Sequence, residues 1–411
     1  MTNPVIIVDP VSAGVDLAPA FSARGVSCVA VRSTGLTHTT DLRNRDALRP
    51  ADFLAVYQEH DGLLTELREL RPRAVIAGSE WGVALADQLA SALTPESANV
   101  PELAPARRHK AAMQQALAEA GLPSIRTLHT ASAAEAAAWL ADQNLVGSAL
   151  VIKPPASAGS ENVHHIAPGG DWRRVFDHVL GHENGLLGTP NETVLVQERV
   201  FGVEYAVGTV SAAGKHSYAH LMRYNKTSAG DRETVFDHNE FLAIDRCEFD
   251  ELRSYTEAAL DALGIRWGAA HNEVMLTPDG PRLIETGARM IGGPVVGFAR
   301  AATGGSQLER VVEAYIDGTV GASSFELRQT VMPVFLISPA TGVLRNAEVF
   351  DEVSNLSTHL STHVFKGNGD LVPRTVDYDT ALGIIALAGP REAVFADYAK
   401  VRAVEKLLIL E

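Results

Sequence analysis

Two strand-like runs, GAAHNEVMLT and RLIETGARM, flank Pro278, Asp279 and Gly280. Pro, Asp and Gly in that order suit a three-residue hairpin loop built on a type I turn with glycine in the left-handed position. Centred on Asp279, such a loop sets Glu273 directly opposite Glu285 and Met275 opposite Leu283. Side-chain alternation then places His271, Glu273 and Glu285 on one face. Opposed side chains have Cβ atoms about 5 Å apart, where two carboxylates repel unless they share a proton or a cation. Mg²⁺ suits them, being hard and usually held by one or two carboxylates plus substrate phosphates. Arg289, four residues on, adds positive charge near the same spot. Two alternatives stay open: an edge hairpin with both acids in solvent, or a two-residue loop, which would put them on opposite faces. Pro281 bears on the second, because it cannot donate the closing hydrogen bond.

Two further segments carry residue types suited to a nucleotide. Lys153 ends the strand-like LVIK, and Ser157, Ala158, Gly159 and Ser160 follow with almost no side-chain bulk, so backbone N–H groups there can approach an anion closely. A plain surface loop has the same composition. In VLVQERVFGVEY an apolar strand runs into Glu198, then a turn at Gly202, then Glu204. A strand edge of this kind offers backbone donors and acceptors to a base and carboxylates to a ribose, although on this stretch alone a plain turn with solvated acids is the simpler reading. The commonest phosphate-binding and zinc-protease motifs are absent, so any phosphate chemistry needs another device.

The elements that must position these residues follow an α/β pattern. The opening segment alternates strands (Val5 to Val8, Val26 to Val31, Ala74 to Ala77) with helices, which implies a parallel sheet whose ligands gather beyond the strands' carboxyl ends. Glu80 lies just past one such end. A helix from about residue 110 stops at Gly121, and another spans Ala133 to Leu140. Residues 223 to 239 show no clear period and read as a mobile loop. Strand signals return from Val331, and the sequence closes on a helix from Arg391 to Lys406. The expected domains are residues 1–105, 106–198, 199–325 and 326–411.

The 411 residues are 46% hydrophobic and 21% charged, with 35 Lys and Arg against 50 Asp and Glu, a net charge of −15. That balance argues against nucleic acid as a general partner. No stretch approaches the roughly 18 to 20 apolar residues of a membrane span. Two cysteines without ligand spacing point to a cytoplasmic location.

In order and spacing, these pieces resemble the ATP-grasp superfamily, most closely its L-amino-acid ligase branch. The resemblance rests on a βαβ pre-domain, Lys110 in HKAAM, Lys153 in VIKP with its small-residue loop, QERVFGVEY, and Glu273 and Glu285 with Arg289. It implies a three-domain architecture with a parallel-sheet N-terminal domain, two grasping lobes and a strand-rich C-terminal lobe. It implies that Lys110 and Lys153 bind the α- and β-phosphates, while Ser157 to Ser160 close on the γ-phosphate. Glu198 and Val200 would present backbone to adenine, and Glu204 would hold the ribose. Glu273 and Glu285 would bridge Mg²⁺, or Mn²⁺ in its place, to the phosphates, and Arg289 would be the catalytic cation. One departure is Gly287, where many relatives carry asparagine as a metal ligand.

The implied reaction phosphorylates a carboxylate with ATP and lets an amine displace phosphate, giving an amide and ADP. Such transfer needs positioning and charge neutralisation, a closed lid, and a base for the amine. Glu80, His238 and His271 are candidates for the base, and Arg223 and Tyr224 for holding a substrate carboxylate. Gly292 and Gly293 beside Arg289 leave room for a substrate larger than alanine. The partners expected are small-molecule substrates, and a homodimer is compatible with the apolar content. Two other readings share the ATP motifs: a carboxylase or formyl-phosphate-type transferase of purine metabolism, and a non-catalytic ATP-binding sensor.

Overall fold

The computed structural model describes residues 3–38, 46–157, 161–184, 188–229 and 232–411. Four short strands, β1 (Val5–Val8), β2 (Cys28–Arg32), β3 (Val56–Gln58) and β4 (Ala74–Ala77), form a sheet in the order β3-β2-β1-β4, with every described pair parallel. β1 is buried on both faces, so it reads as an uninterrupted apolar run. Ile6 and Val8 face helices carrying Leu67 and Leu89. Val5 and Ile7 face Phe21 and the helix Gln307–Asp317, which docks this sheet onto the rest of the protein. Backbones crowd at the carboxyl ends: a Cβ on Gly14 would stand 2.1 Å from the Gly78 carbonyl oxygen. Only glycine fits there, and the tight crossing fixes where Glu80 emerges.

The linker is pinned by Arg107, fully buried and bonded to the Asp87 carboxylate at 2.8 Å and to the carbonyls of Val100 and Leu263. A second sheet follows, from β5 (Thr127–Thr130), β6 (Leu150–Lys153), β7 (His164–Ile166) and, beyond the two-residue pair β8 (Glu183–Asn184) and β9 (Thr189–Pro190), β10 (Val194–Glu198). Its order is β5-β10-β6-β7. Ile152, Phe176 and Val196 fill its core.

The largest sheet has eight antiparallel strands in the order β15-β14-β11-β12-β13-β16-β20-β18. These are β11 (Val203–Ala212), β12 (Lys215–Ala229), β13 (Arg232–Phe241), β14 (Gly268–Thr277), β15 (Gly280–Gly287), β16 (Thr330–Leu336), β18 (His359–Val364) and β20 (Gly383–Gly389). A small pair, β17 (Gly342–Val343) with β19 (Leu371–Val372), lies beside it. The strands after residue 330 thus extend the sheet begun at residue 203. One face of the central strands packs Val207, Val274 and Leu283 against Leu117, Leu252 and Leu260 of two helices.

Of residues 223 to 239, expected as a loop, 223–229 and 232–239 instead belong to the antiparallel strands β12 and β13, paired from Met222↔Phe241 to Ala229↔Arg232 with interruptions. The interruptions explain the missing period. A bulge leaves Asp237 unpaired between His238, opposite Asn225, and Phe236, opposite Lys226. Among the described residues, no helix is long and apolar enough to cross a membrane.

Candidate active site

A cavity of about 1550 Å³ runs between the three sheets, lined by residues of the first sheet's carboxyl end, of β6 and β10, and of the face of the large sheet opposite Val274. On β14, His271, Glu273 and Met275 face it, while Val274 points into the core.

The hairpin carrying the two glutamates differs from expectation in its turn. Thr277 pairs with Gly280 and Met275 with Arg282, so the loop has two residues, and Met275 does not face Leu283. Gly280 supplies the left-handed backbone, with φ +91°. Continued unbroken, that register would turn Glu285 away. A bulge at Ile284 intervenes, and Glu273 pairs with Glu285 after all. The extra residue puts two consecutive side chains, Ile284 and Glu285, on the cavity face.

Basic side chains surround this pair. Lys110, the first residue of the helix Lys110–Glu119, places Nζ 3.0 Å from Glu285 Oε2 and donates to the Ser157 carbonyl at 2.9 Å. His271 Nε2 lies 3.3 Å from Glu273 Oε1 and 3.3 Å from the Tyr224 hydroxyl. Burial would raise Glu273, but the His271 contact and the nearby lysines hold it below the usual carboxylate range. Lys153 is buried at the end of β6. Its burial, and Lys110 beside it, lower its ammonium to about 8 against the pull of Glu285, Glu273 and Glu204. Of the small-residue loop, Ser157 is buried and lines the cavity, while Ala158, Gly159 and Ser160 lie outside the described residues.

Glu198, Val200 and Glu204 also line the cavity. The Glu198 carboxylate accepts from Arg126, its backbone N–H at 3.0 Å and its Nε at 2.7 Å, which ties the end of β10 to the start of β5. Glu204 is bonded through both oxygens to Lys226, at 2.9 and 2.8 Å, and the ammonium lies 4.7 Å from the Phe236 ring centroid. Lys226 escaped the sequence reading because it sits in the stretch that lacked a period. Its only signal was alternation with Tyr224, the neighbour that shares its face.

Arg289 anchors the far side. Its Nε donates to Glu80 Oε2 at 2.9 Å and its Nη1 to the Met290 carbonyl at 3.1 Å. Arg108 reaches the other Glu80 oxygen at 3.2 Å. Burial opposes ionisation of Glu80, yet Arg289, Arg108 and Lys110 outweigh it and hold the carboxyl below its ordinary value. Chemically, so neutralised a carboxylate orients Arg289 better than it accepts a proton. Gly287 now has a reason: a Cβ there would stand 3.0 Å from Glu80 Oε2 and 3.1 Å from Arg289 Cζ.

The remaining candidates separate. Arg223 touches the cavity, but its guanidinium is bonded to Glu240 at 2.8 Å. His238 is not among the lining residues; it bonds Asp237 at 2.7 Å and its ring lies 4.9 Å from that of Tyr398 on the C-terminal helix. Gly292 and Gly293 do line the cavity, and the space beside them admits Ser12, whose Oγ accepts from Gly293 N–H at 3.0 Å.

This arrangement of three sheets around paired acids and buried lysines has known counterparts. Residues 146–297 match the model of the ATP-grasp domain. The chain is 31% identical over 417 residues to dapdiamide A synthase of Enterobacter agglomerans, covering 98% of this chain and 95% of that one. Its fold is similar to that of an L-amino acid ligase from Bacillus licheniformis (TM-score 0.71, 16% identity, 100% and 99% of the two chains). It is also similar to carboxyaminoimidazole ribonucleotide synthase from Aspergillus clavatus, complexed with ATP (TM-score 0.71, 13% identity, 99% and 100%). The chain belongs to the ATP-grasp family. Within it, this protein is an ATP-dependent, ADP-forming ligase that makes amide bonds between small molecules.

Proposed function

We propose that the protein joins an amino acid, or another small carboxylic acid, to an amino-acid amine through an acyl phosphate. The observation that carries this reading is the opposition of Glu273 and Glu285 across the β14–β15 ladder, with Lys110 3.0 Å from Glu285. Two carboxylates and surrounding phosphate oxygens make a donor set suited to Mg²⁺, and Glu273 and Glu285 would hold it. When bound, the ion neutralises charge on the transferring phosphoryl group.

The chain's own residues do the rest. Lys110 and Lys153 meet the nucleotide's phosphates, and Ser157, whose carbonyl Lys110 bonds, lies beside them. Glu198 and Val200 lie where a base enters between the lobes, and Glu204, with Lys226 attached, lies on the ribose and phosphate side. Arg289, fixed by Glu80, faces the developing charge of the acyl phosphate and of the tetrahedral species. The lobes comprising residues 106–198 and 199–325 close on ATP, and the cavity between them excludes the water that would destroy the intermediate. His271, at the acid pair and on Tyr224, is the histidine placed to meet the incoming amine.

The reading is tested by incubating the protein with ATP, Mg²⁺ and paired amino acids while ADP and phosphate are measured. Release that depends on an amine and a carboxylate supports it. Release that requires bicarbonate or formate overturns it in favour of purine-type chemistry, and ATP binding without release overturns it in favour of a sensor.

Lys153 gives this reading a pH dependence. Its free-state value of about 8 means that the ammonium which meets phosphate is fully present below that pH and must be re-formed above it. KM for ATP is therefore expected to stay flat up to about pH 8 and then to rise roughly tenfold per pH unit. Lys153→Arg should flatten the slope, since a guanidinium stays charged. Steady-state kinetics across pH 7 to about 9.5 check this, and an equal slope in both proteins refutes it.

A further inference from the structure

One buried histidine takes no part in the mechanism above. His220, on β12, is 1% exposed, and neither of its ring nitrogens has a hydrogen-bond partner among the described residues. Its ring stands 6.0 Å from that of Phe241, on the face of the strand that also carries Met222. Buried imidazole nitrogens are nearly always bonded, so a histidine here needs an explanation that a leucine would not. Burial, with His271 nearby, pushes its imidazole down to about 3. It is therefore neutral at any working pH and offers one N–H donor and one acceptor rather than a charge.

The sheet brings this ring to His271. Gly208 of β11 pairs with His220 on one side and with His271 of β14 on the other. Cross-strand partners share a face, so both imidazoles and the bare glycine between them lie on the cavity side of the sheet. The missing side chain is what lets the rings approach: a Cβ on Gly208 would stand 2.1 Å from His220 Cε1 and 2.4 Å from its Nε2. His220 thus leans across β11 towards β14. His271 Nδ1 is also buried without a partner among the described residues. Its Nε2 is 3.3 Å from both Glu273 Oε1 and the Tyr224 hydroxyl. A ring held at Nε2 alone can pivot about that atom, and the bond made by the other nitrogen is what settles the tautomer.

We infer that His220 is a positioning residue for His271, bonded to its Nδ1 through one buried water between the two rings. Water is the usual link between enclosed polar groups that stand too far apart to bond directly. This second anchor fixes the plane and the tautomer of the His271 ring, and with them the aim of Nε2 at the cavity, where the amine arrives. His271 lines the cavity, whereas His220 stands behind its wall and meets no substrate. The inference rests on the ligase reading for what His271 does, and goes beyond it in assigning His220.

The test compares His220→Phe with His220→Gln in the full-length protein. Phenylalanine keeps a flat ring among apolar neighbours and removes both nitrogens, while glutamine keeps a donor and an acceptor at similar reach. In amine-dependent ADP formation, His220→Phe should lower kcat by about 10- to 100-fold and leave KM for ATP within about twofold of the parent, and His220→Gln should recover kcat to within about threefold. A role in packing alone predicts the opposite order, since glutamine fits apolar surroundings worse than phenylalanine does. In a His271→Asn background, His220→Phe should cost little more, because the two side chains act through one another. A second readout needs no substrate. With the histidines labelled with ¹⁵N, the His271 ring resonances, identified by their absence in His271→Asn, should move in His220→Phe and stay near the parent's in His220→Gln. The inference is overturned by a His220→Phe kcat within about twofold of the parent, by a glutamine variant no faster than the phenylalanine one, or by His271 resonances that do not move. If no amino-acid pair stimulates ADP release, the ligase reading falls, and the resonances alone decide whether His220 holds His271. Where His220→Phe does not fold, His220→Leu takes its place in both measurements.

Discussion

Glu285→Gln is expected to lower amine-dependent ADP formation by at least about 10²- to 10³-fold while the protein stays folded. The substitution keeps the shape of the side chain and removes its charge. Glu285 faces Glu273 in the ladder and Lys110 across the cavity, so it serves two cations, the lysine at 3.0 Å and the metal ion proposed for the acid pair. A neutral amide leaves Lys110 without its counter-charge and leaves Glu273 as the one carboxylate for the metal, so the Mg²⁺ concentration at half-maximal rate should also rise. Stability in the absence of ligands should change little, because losing one of two opposed acids relieves repulsion. A coupled ADP assay over a Mg²⁺ titration, with a thermal melt beside it, measures all three. Activity within about threefold of the parent would remove the acid pair from the mechanism.

That pair was legible in the sequence, although by a route the structure corrects. Turn chemistry pointed to a three-residue loop, and the opposition of Glu273 and Glu285 followed from it. The loop has two residues, and the bulge at Ile284 restores the opposition. Nothing in RLIETG marks a bulge, since what distinguishes it, Ile284 and Glu285 both lining the cavity, is a property of the assembled site rather than of local propensity. The buried strands of the first sheet were readable because continuous apolar runs ended in turn residues, as in Val5–Val8 and Ala74–Ala77. Val56–Gln58 was not, being three residues long and largely exposed.

The β12–β13 pair hid for a different reason. One of its faces lines a polar cavity through Tyr224, Lys226 and Asn239. The other carries the Arg223–Glu240 pair, and the bulged Asp237 is held by Arg402 and by Tyr398 at 2.7 Å. With polar residues on both faces and a slipped register, period-two alternation disappears, and Lys226 disappeared with it. Contacts between distant segments were equally unreadable. Glu80 and Arg289 lie 209 positions apart, and only the docking of the first sheet onto the third brings them together.

That contact underlies the second large effect. Arg289→Lys is expected to lower kcat by about 10²-fold or more with little change in KM for ATP. Arg289 spends Nε on Glu80 and Nη1 on the Met290 carbonyl, which fixes the plane of the guanidinium and directs its remaining edge at the cavity. A lysine keeps the charge but concentrates it at one point, and it cannot hold Glu80 while also meeting a second acceptor. Glu80→Gln should reproduce part of the loss, about tenfold, because the amide oxygen accepts from Nε but no longer supplies a counter-charge to Arg289 and Arg108. If Glu80 instead took the proton from the amine, its loss would displace the acid limb of the kcat profile against pH. As a positioning residue it should lower the plateau and leave the limb where it was. The double variant discriminates further. Residues acting through one another lose less together than the product of their separate losses, so Glu80→Gln combined with Arg289→Lys should be scarcely slower than Arg289→Lys alone. Multiplicative losses would show that the two side chains act independently.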